Sequence, residues 1–230
     1  MRNNDRHKPR IFYGWWIVLA LFISNFAVEV TAIFSFAVFL KPMSNALGIS
    51  RAGMGWVVAA RRLAHAGSSA LTGRFIDRYG SRVLIPIAAA IAGFALMAIS
   101  LVQGFWPFLL LFTAIGLSGI AMPGNLLTSV PIQKWFSRKR GRATAYAASG
   151  FGIGGMVFAL VHQIMIDSIG WRLTWLWSGI FLIVLLVPLA LLVIRRSPED
   201  MGLQPDGAPS AQADDSLGTV PSSGERSWTV

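Results

Sequence analysis

The chain has 230 residues, a mass of 25.0 kDa, 54% apolar and 13% charged side chains, a mean hydropathy of +0.59 and a formal charge of +10. Soluble domains carry roughly 25% charge, so these values exclude a soluble globular enzyme, and the apolar content excludes general disorder. The absence of cysteine excludes disulfides and thiolate chemistry, and His7, His65 and His162 are too scattered for a metal cluster, so no metal or cofactor is expected.

Residues 1–10, MRNNDRHKPR, form a short basic N-terminus. An apolar stretch follows over 11–40, interrupted by Asn25 and Glu29. About 20 apolar residues span a bilayer, and a signal-peptide core has only about 7–15, so this stretch is read as an uncleaved spanning helix. Five further segments are predicted at 52–72, 83–102, 106–131, 143–166 and 173–194, the first of them holding the pair Arg61-Arg62. Together they make a transmembrane bundle over 11–196. From 197 to 230 the composition turns to Pro, Gly, Ser and acids without a hydrophobic period, which reads as a flexible cytoplasmic linker or tail.

Lysine and arginine set the topology. With the N-terminus in the cytoplasm, the basic residues at 2–10, 74–82, 134–142 and 195–196 lie inside, and only Lys41, Arg51 and Arg172 lie outside. Six spans return the tail to the cytoplasm, in the cell's inner (plasma) membrane. The pI near 11.2 thus reflects orientation in a lipid bilayer, and nucleic acid is not an expected partner. Trp15, Trp16, Trp56, Trp106, Trp135, Trp171, Trp175 and Trp177 fall near predicted helix ends, as an aromatic belt requires.

Glu29 and Arg62 lie 12 and 11 residues from the outer basic residues Lys41 and Arg51. At ~1.5 Å per residue both sit near the membrane midplane, where an ion is costly unless it meets a partner or water. One reading has them line a polar cavity, with Arg62 on an anionic substrate and Glu29 pairing with it or taking a proton. The other is a static ion pair joining two helices. Arg61 points about 100° away from Arg62 on a helix. His65 and Asn125, the latter beside Pro123 and Gly124, either extend the polar stripe or bridge helices. Gly150, Gly152 and Gly155 match G-x-G-x-x-G, but inside an apolar helix they read as close packing rather than a nucleotide site.

Between the second and third segments, residues 73–82 (GRFIDRYGSR) predict a short charged turn at the inner face. Asp77 is placed to cap a helix or hold a base, and Arg78 and Arg82 to meet other loops or lipid phosphate. Topological charge alone is the alternative.

This turn resembles the signature G-x-L-A-D-R-x-G-R-K of the major facilitator superfamily of secondary transporters. Gly73, Asp77, Arg78, Gly80 and Arg82 match it, with Phe75 for the usual Leu and Ser81 for a usual base. YGWWIVLA, KWFSRKRGRATAYAASG, Gly170-Trp171-Arg172 and RRSPEDMGLQPDG resemble the branch of oxalate/formate antiporters and monocarboxylate transporters, over roughly 11–207. The resemblance implies an all-α integral membrane fold, with six helices as two inverted three-helix repeats, half of a twelve-helix carrier. It implies a midplane pathway and a rocking cycle. Asp77 then stabilises the outward-facing state, and Arg62 suits a carboxylate such as a monocarboxylate, with proton or anion coupling. Met156-Val157-Phe158 stand where the family often has a proline. One half and a linker make a truncated or split transporter the expectation: either a fragment that cannot transport because half the cavity is absent, or a half that works with a separate C-terminal half or a second copy. A non-transporting membrane scaffold is the alternative. No catalytic acid pair, metal set or nucleophile–base arrangement suggests an enzyme.

Overall fold

The structure, a computed structural model, describes residues 12–31, 33–119 and 126–195. The first apolar segment forms α1 (Gly14–Val28) and α2 (Ile33–Leu47), separated by a single 3₁₀ turn at Glu29–Thr31. The helical path runs past the predicted end at 40 and through Pro42, so the connection shrinks to 48–50. Ser50 then caps the next helix, its Oγ accepting from the Gly53 N–H at 3.1 Å.

The third helix, α3 (Arg51–Tyr79), continues beyond the predicted 52–72. It absorbs most of the charged turn expected at 73–82. Between it and α4 (Ser81–Ile99), only Gly80 leaves helical geometry, with φ 75 and ψ 162. The polar residues of RFIDRY favour helix well enough once they reach the headgroup region, so nothing stops α3 until a residue that must be glycine. Further on come α5 (Phe105–Leu117), α6 (Leu126–Trp135) and α7 (Arg140–Val193). Gly170, at φ 82 and ψ 159, breaks α7 into arms 140–169 and 171–193, which correspond to the two predicted segments at 143–166 and 173–194. Both glycines sit in the frame Asp-x-x-Gly-x-Arg: Asp77, Gly80, Arg82 and Asp167, Gly170, Arg172.

Gly14–Leu47, Ser81–Ile99 and Arg140–Val193 are long and apolar enough to cross a membrane, and Phe105–Leu117 is apolar but shorter. The 29-residue α3 is about 43 Å long at 1.5 Å per residue, but its arginine pair lowers its apolar character. Among the described residues there is no strand.

Three packings hold the bundle. The first arm of α7 lies on α1, α3 lies on α5, and α4 lies on the second arm of α7, where Gly93 and Gly179 face each other backbone to backbone. Two aromatic clusters close the ends. At one, Tyr13 donates to the Val193 carbonyl at 2.9 Å, and Phe12, Tyr13 and Trp15 pack on Trp135 and Phe136. At the other, Phe39 stacks on Trp175 with centroids 4.0 Å apart, and Phe112 meets both Phe36 and Trp175. Trp135 and Trp175 are therefore core residues, fully buried, rather than members of a lipid-facing belt. Trp16, Trp56, Trp106 and Trp177 are exposed, as a belt requires.

Candidate functional site

The break between α1 and α2 is the centre of the polar site. A 3₁₀ turn inside a helix leaves carbonyls without their usual i+4 donors. Thr31 sits in that turn, buried, with its Oγ1 donating to the Val28 carbonyl at 2.9 Å. The Arg61 guanidinium, arriving from α3, donates through Nη1 to the Thr31 carbonyl and lies 3.4 Å from Thr31 Oγ1 through Nη2. Glu29, two residues earlier, is also buried, and the positive charge that bears on it is Arg61. Two ions out of water need each other and further hydrogen bonds; here each charge bears on the other and Thr31 takes both Nη atoms of Arg61, while Glu29 Oε2 and Arg61 Nε make no hydrogen bond.

Asn25 lies one turn before Glu29 on the same face of α1. Its Nδ2 donates to the Ala147 carbonyl at 2.8 Å, joining α1 to the first arm of α7. That crossing is tight because of Gly150 and Gly154. A Cβ on Gly150 would run into the Phe22 carbonyl, and one on Gly154 would lie 2.7 Å from the Phe26 carbonyl and 3.0 Å from Glu29 Cβ. Gly152 faces open space. The glycine run is thus a helix-packing surface against the very turn that carries Glu29.

The predicted residues fall as follows. Glu29 is at the centre, but its charge partner is Arg61, the neighbour of the expected Arg62. Arg62 is exposed and points away from that pair. His65 lies one turn beyond Arg61, half-buried against the Gly116 backbone. At this crossing a Cβ on Gly116 would strike the Arg61 carbonyl. Asn125, and the side chain of Asp77, lie outside the described residues. Gly73, Arg78, Gly80 and Arg82 gather at the α3–α4 junction, with Arg78 over the Tyr79 ring at 5.3 Å.

Thr31 escaped the sequence reading, and the inward role fell to Arg61 where the sequence suggested Arg62, although an i,i+4 pair of Asn25 with Glu29 and of Arg61 with His65 marks the inward faces. His162 escaped too. It is buried beside Phe39, Phe158 and Trp175, with Nε2 3.1 Å from Ser178 Oγ. Among the described residues no three potential ligands gather to hold a metal.

The profile of the Major Facilitator Superfamily matches residues 11–228. Among curated proteins, the chain is 23% identical to the oxalate:formate antiporter of Oxalobacter formigenes over 81% of this chain and 44% of that protein. It is 30% identical to the MFS transporter asaE of Aspergillus flavus over 60% of this chain and 31% of that one. It is 24% identical to human monocarboxylate transporter 1 over 73% and 33%. The chain thus spans between about a third and less than half of the length of these relatives. With apolar helices of membrane-crossing length, buried intramembrane charge and a profile match over almost its whole length, the chain belongs to the Major Facilitator Superfamily, whose members are membrane transporters and not enzymes.

Proposed function

We propose that this chain supplies the first six-helix half of a secondary active transporter for a small organic anion, such as a monocarboxylate, coupled to protons or to a counter-anion. The observation that carries the reading is the setting of Arg62. It stands exposed on α3 among the small residues Gly55, Ala59 and Ala66, with the large exposed Trp56 and Leu63 flanking them. An arginine at membrane depth needs a partner or water, and the small residues leave room for a partner helix or a water path. The first arm of α7 carries a similar open face at Ala145, Ser149 and Gly152. Arg61, neutralised by Glu29 and pinned on Thr31, is not available to a ligand, and Arg62 beside it is. Glu29 is the group for coupling, with His65 and Asn125 extending the polar path.

The six spans are two inverted three-helix sets. A shift of 90 positions carries Gly80 onto Gly170 with nearly the same dihedrals, and carries Val28, the end of α1, onto Ser118, the residue after α5. The exchange also turns the α1 packing on the first arm of α7 into the α5 packing on α3, and returns the α4 packing on the second arm to itself. With three spans per set, the second set enters from the opposite side. The basic-residue asymmetry supports cytoplasmic termini in the plasma membrane. Asp77 acts in the signature that holds the outward-facing state. A second six-helix half closes the pathway.

The test is uptake of a labelled monocarboxylate into proteoliposomes holding this half joined to a second six-helix half. Uptake abolished by Arg62→Ala, with the protein still folded, is the expected result. Full uptake with Arg62→Ala removes the assigned role, and no uptake of any anion favours the scaffold alternative.

A further inference from the structure

At the α3–α4 junction the bundle carries a second feature, independent of the midplane site. A groove of about 500 Å³ opens there between α3, α4 and the end of α5. Phe75, Tyr79, Val83, Ile87, Ile91 and Leu117 form its walls, each 45–56% exposed. Phe75 and Tyr79 stack, with centroids 6.2 Å apart. The groove follows the helices from the Tyr79–Val83 end, at the membrane surface, to Ser68 and Ile91. Eight residues of α4 and eleven of α3 separate those ends, about 12–17 Å at 1.5 Å per residue. Half of a hydrocarbon core is about 15 Å. The groove is one leaflet deep.

Its shallow end is basic. Arg78 and Arg82 are exposed there, with the exposed Arg74 about 7.5 Å farther along α3 at 1.5 Å per residue, and Arg78 lies against the Tyr79 ring that forms the mouth. Guanidinium groups bind phosphate oxygens in bidentate fashion. A water-soluble anion would match the arginines but not the apolar walls, and an apolar helix would match the walls but leave the arginines unused.

We propose that this groove is a binding site for an anionic phospholipid, with one acyl chain along Phe75, Ile87 and Ile91 and the headgroup phosphate on Arg78 and Arg82. The site stands whether or not Arg62 binds a transported anion. Each basic residue near the surface is worth about fivefold in affinity for an acidic lipid.

The experiment is native mass spectrometry of the whole chain released from detergent micelles containing phosphatidylglycerol and phosphatidylethanolamine of equal acyl length. Retained phosphatidylglycerol is expected. Arg78→Gln with Arg82→Gln should lower that retention more than tenfold. Ile87→Trp, which fills the groove and keeps every arginine, should lower it as well. Equal retention of the two lipids, phosphatidylglycerol retention untouched by either variant, displacement by inorganic phosphate alone, or replacement of the lipid by a second copy in a dimer would each overturn the proposal.

Discussion

Arg61 of α3 donates a hydrogen bond to the Thr31 carbonyl, across to the one-turn break between α1 and α2. This bond brings Arg61 to the turn that carries Glu29, and these are the only two buried charged side chains among the described residues. A broken helix presents free carbonyls, and a guanidinium is a fitting donor to them. The break and the arginine thus stabilise each other.

Removing Arg61 leaves Glu29 and the Thr31 carbonyl buried without their cation. Arg61→Ala should destabilise the protein by about 3–5 kcal/mol, the usual cost of breaking a buried pair from one side. Thermal unfolding in detergent checks this. The double variant Arg61→Met with Glu29→Gln should recover part of the loss, since it removes both charges.

Arg62→Ala should stay within about 0.5 kcal/mol of the parent in the same assay, as for other exposed positions. Two adjacent arginines with opposite profiles, one structural and one needed for uptake, are the expected outcome. Equal destabilisation by both substitutions would contradict the placement of Arg62 on an open face.

Gly154→Leu should cost at least about 1–3 kcal/mol by overpacking the crossing of α1 and α7, because the added side chain meets the Phe26 carbonyl and Glu29. Gly152→Leu, two residues away and facing open space, should be tolerated. A nucleotide-binding loop would not separate these two glycines in a stability measurement.

Gly80→Ala and Gly170→Ala should each cost about 1–3 kcal/mol, since φ 75 with ψ 162 and φ 82 with ψ 159 belong to a region that only glycine enters readily. Similar losses at the two positions are expected from their matching geometry. Gly104→Ala, at φ −161 and ψ 175, is the control that should be neutral.

Ser178→Ala should cost about 1–3 kcal/mol. The Ser178 hydroxyl hydrogen goes to the Thr174 carbonyl at 2.7 Å, so its oxygen accepts from His162 Nε2, and His162 Nδ1 has no hydrogen bond. Loss of the serine leaves a buried ring with neither nitrogen satisfied. Unfolding of the variant in detergent measures the effect.

The apolar segments were legible because lipid demands long hydrophobic runs, and the described helices follow the predicted ones closely in α4 and in both arms of α7. Ends were less legible. At α3, the chain stays helical through Arg74, Asp77 and Arg78, since charged residues at a membrane surface need not leave a helix. The choice between Arg61 and Arg62 was not legible either. Both have small or apolar neighbours, and it is Arg61 that meets the break at Glu29–Thr31, a contact between segments far apart in the chain. Trp135 and Trp175 read as belt residues from position alone; their burial depends on partners such as Tyr13 and Phe39 that lie far off in the chain.

The turn at Glu29–Thr31 lies between two fastenings of the helical path. Below it, α1 is fastened to the first arm of α7 through Asn25 and Gly150; above it, α2 is fastened to the second arm by the stacking of Phe39 on Trp175. The two helices thus meet at a joint pinned by Arg61. A 3₁₀ turn inside a helix is a common hinge position, so a tilt of α1 against α2 is expected to centre on Glu29.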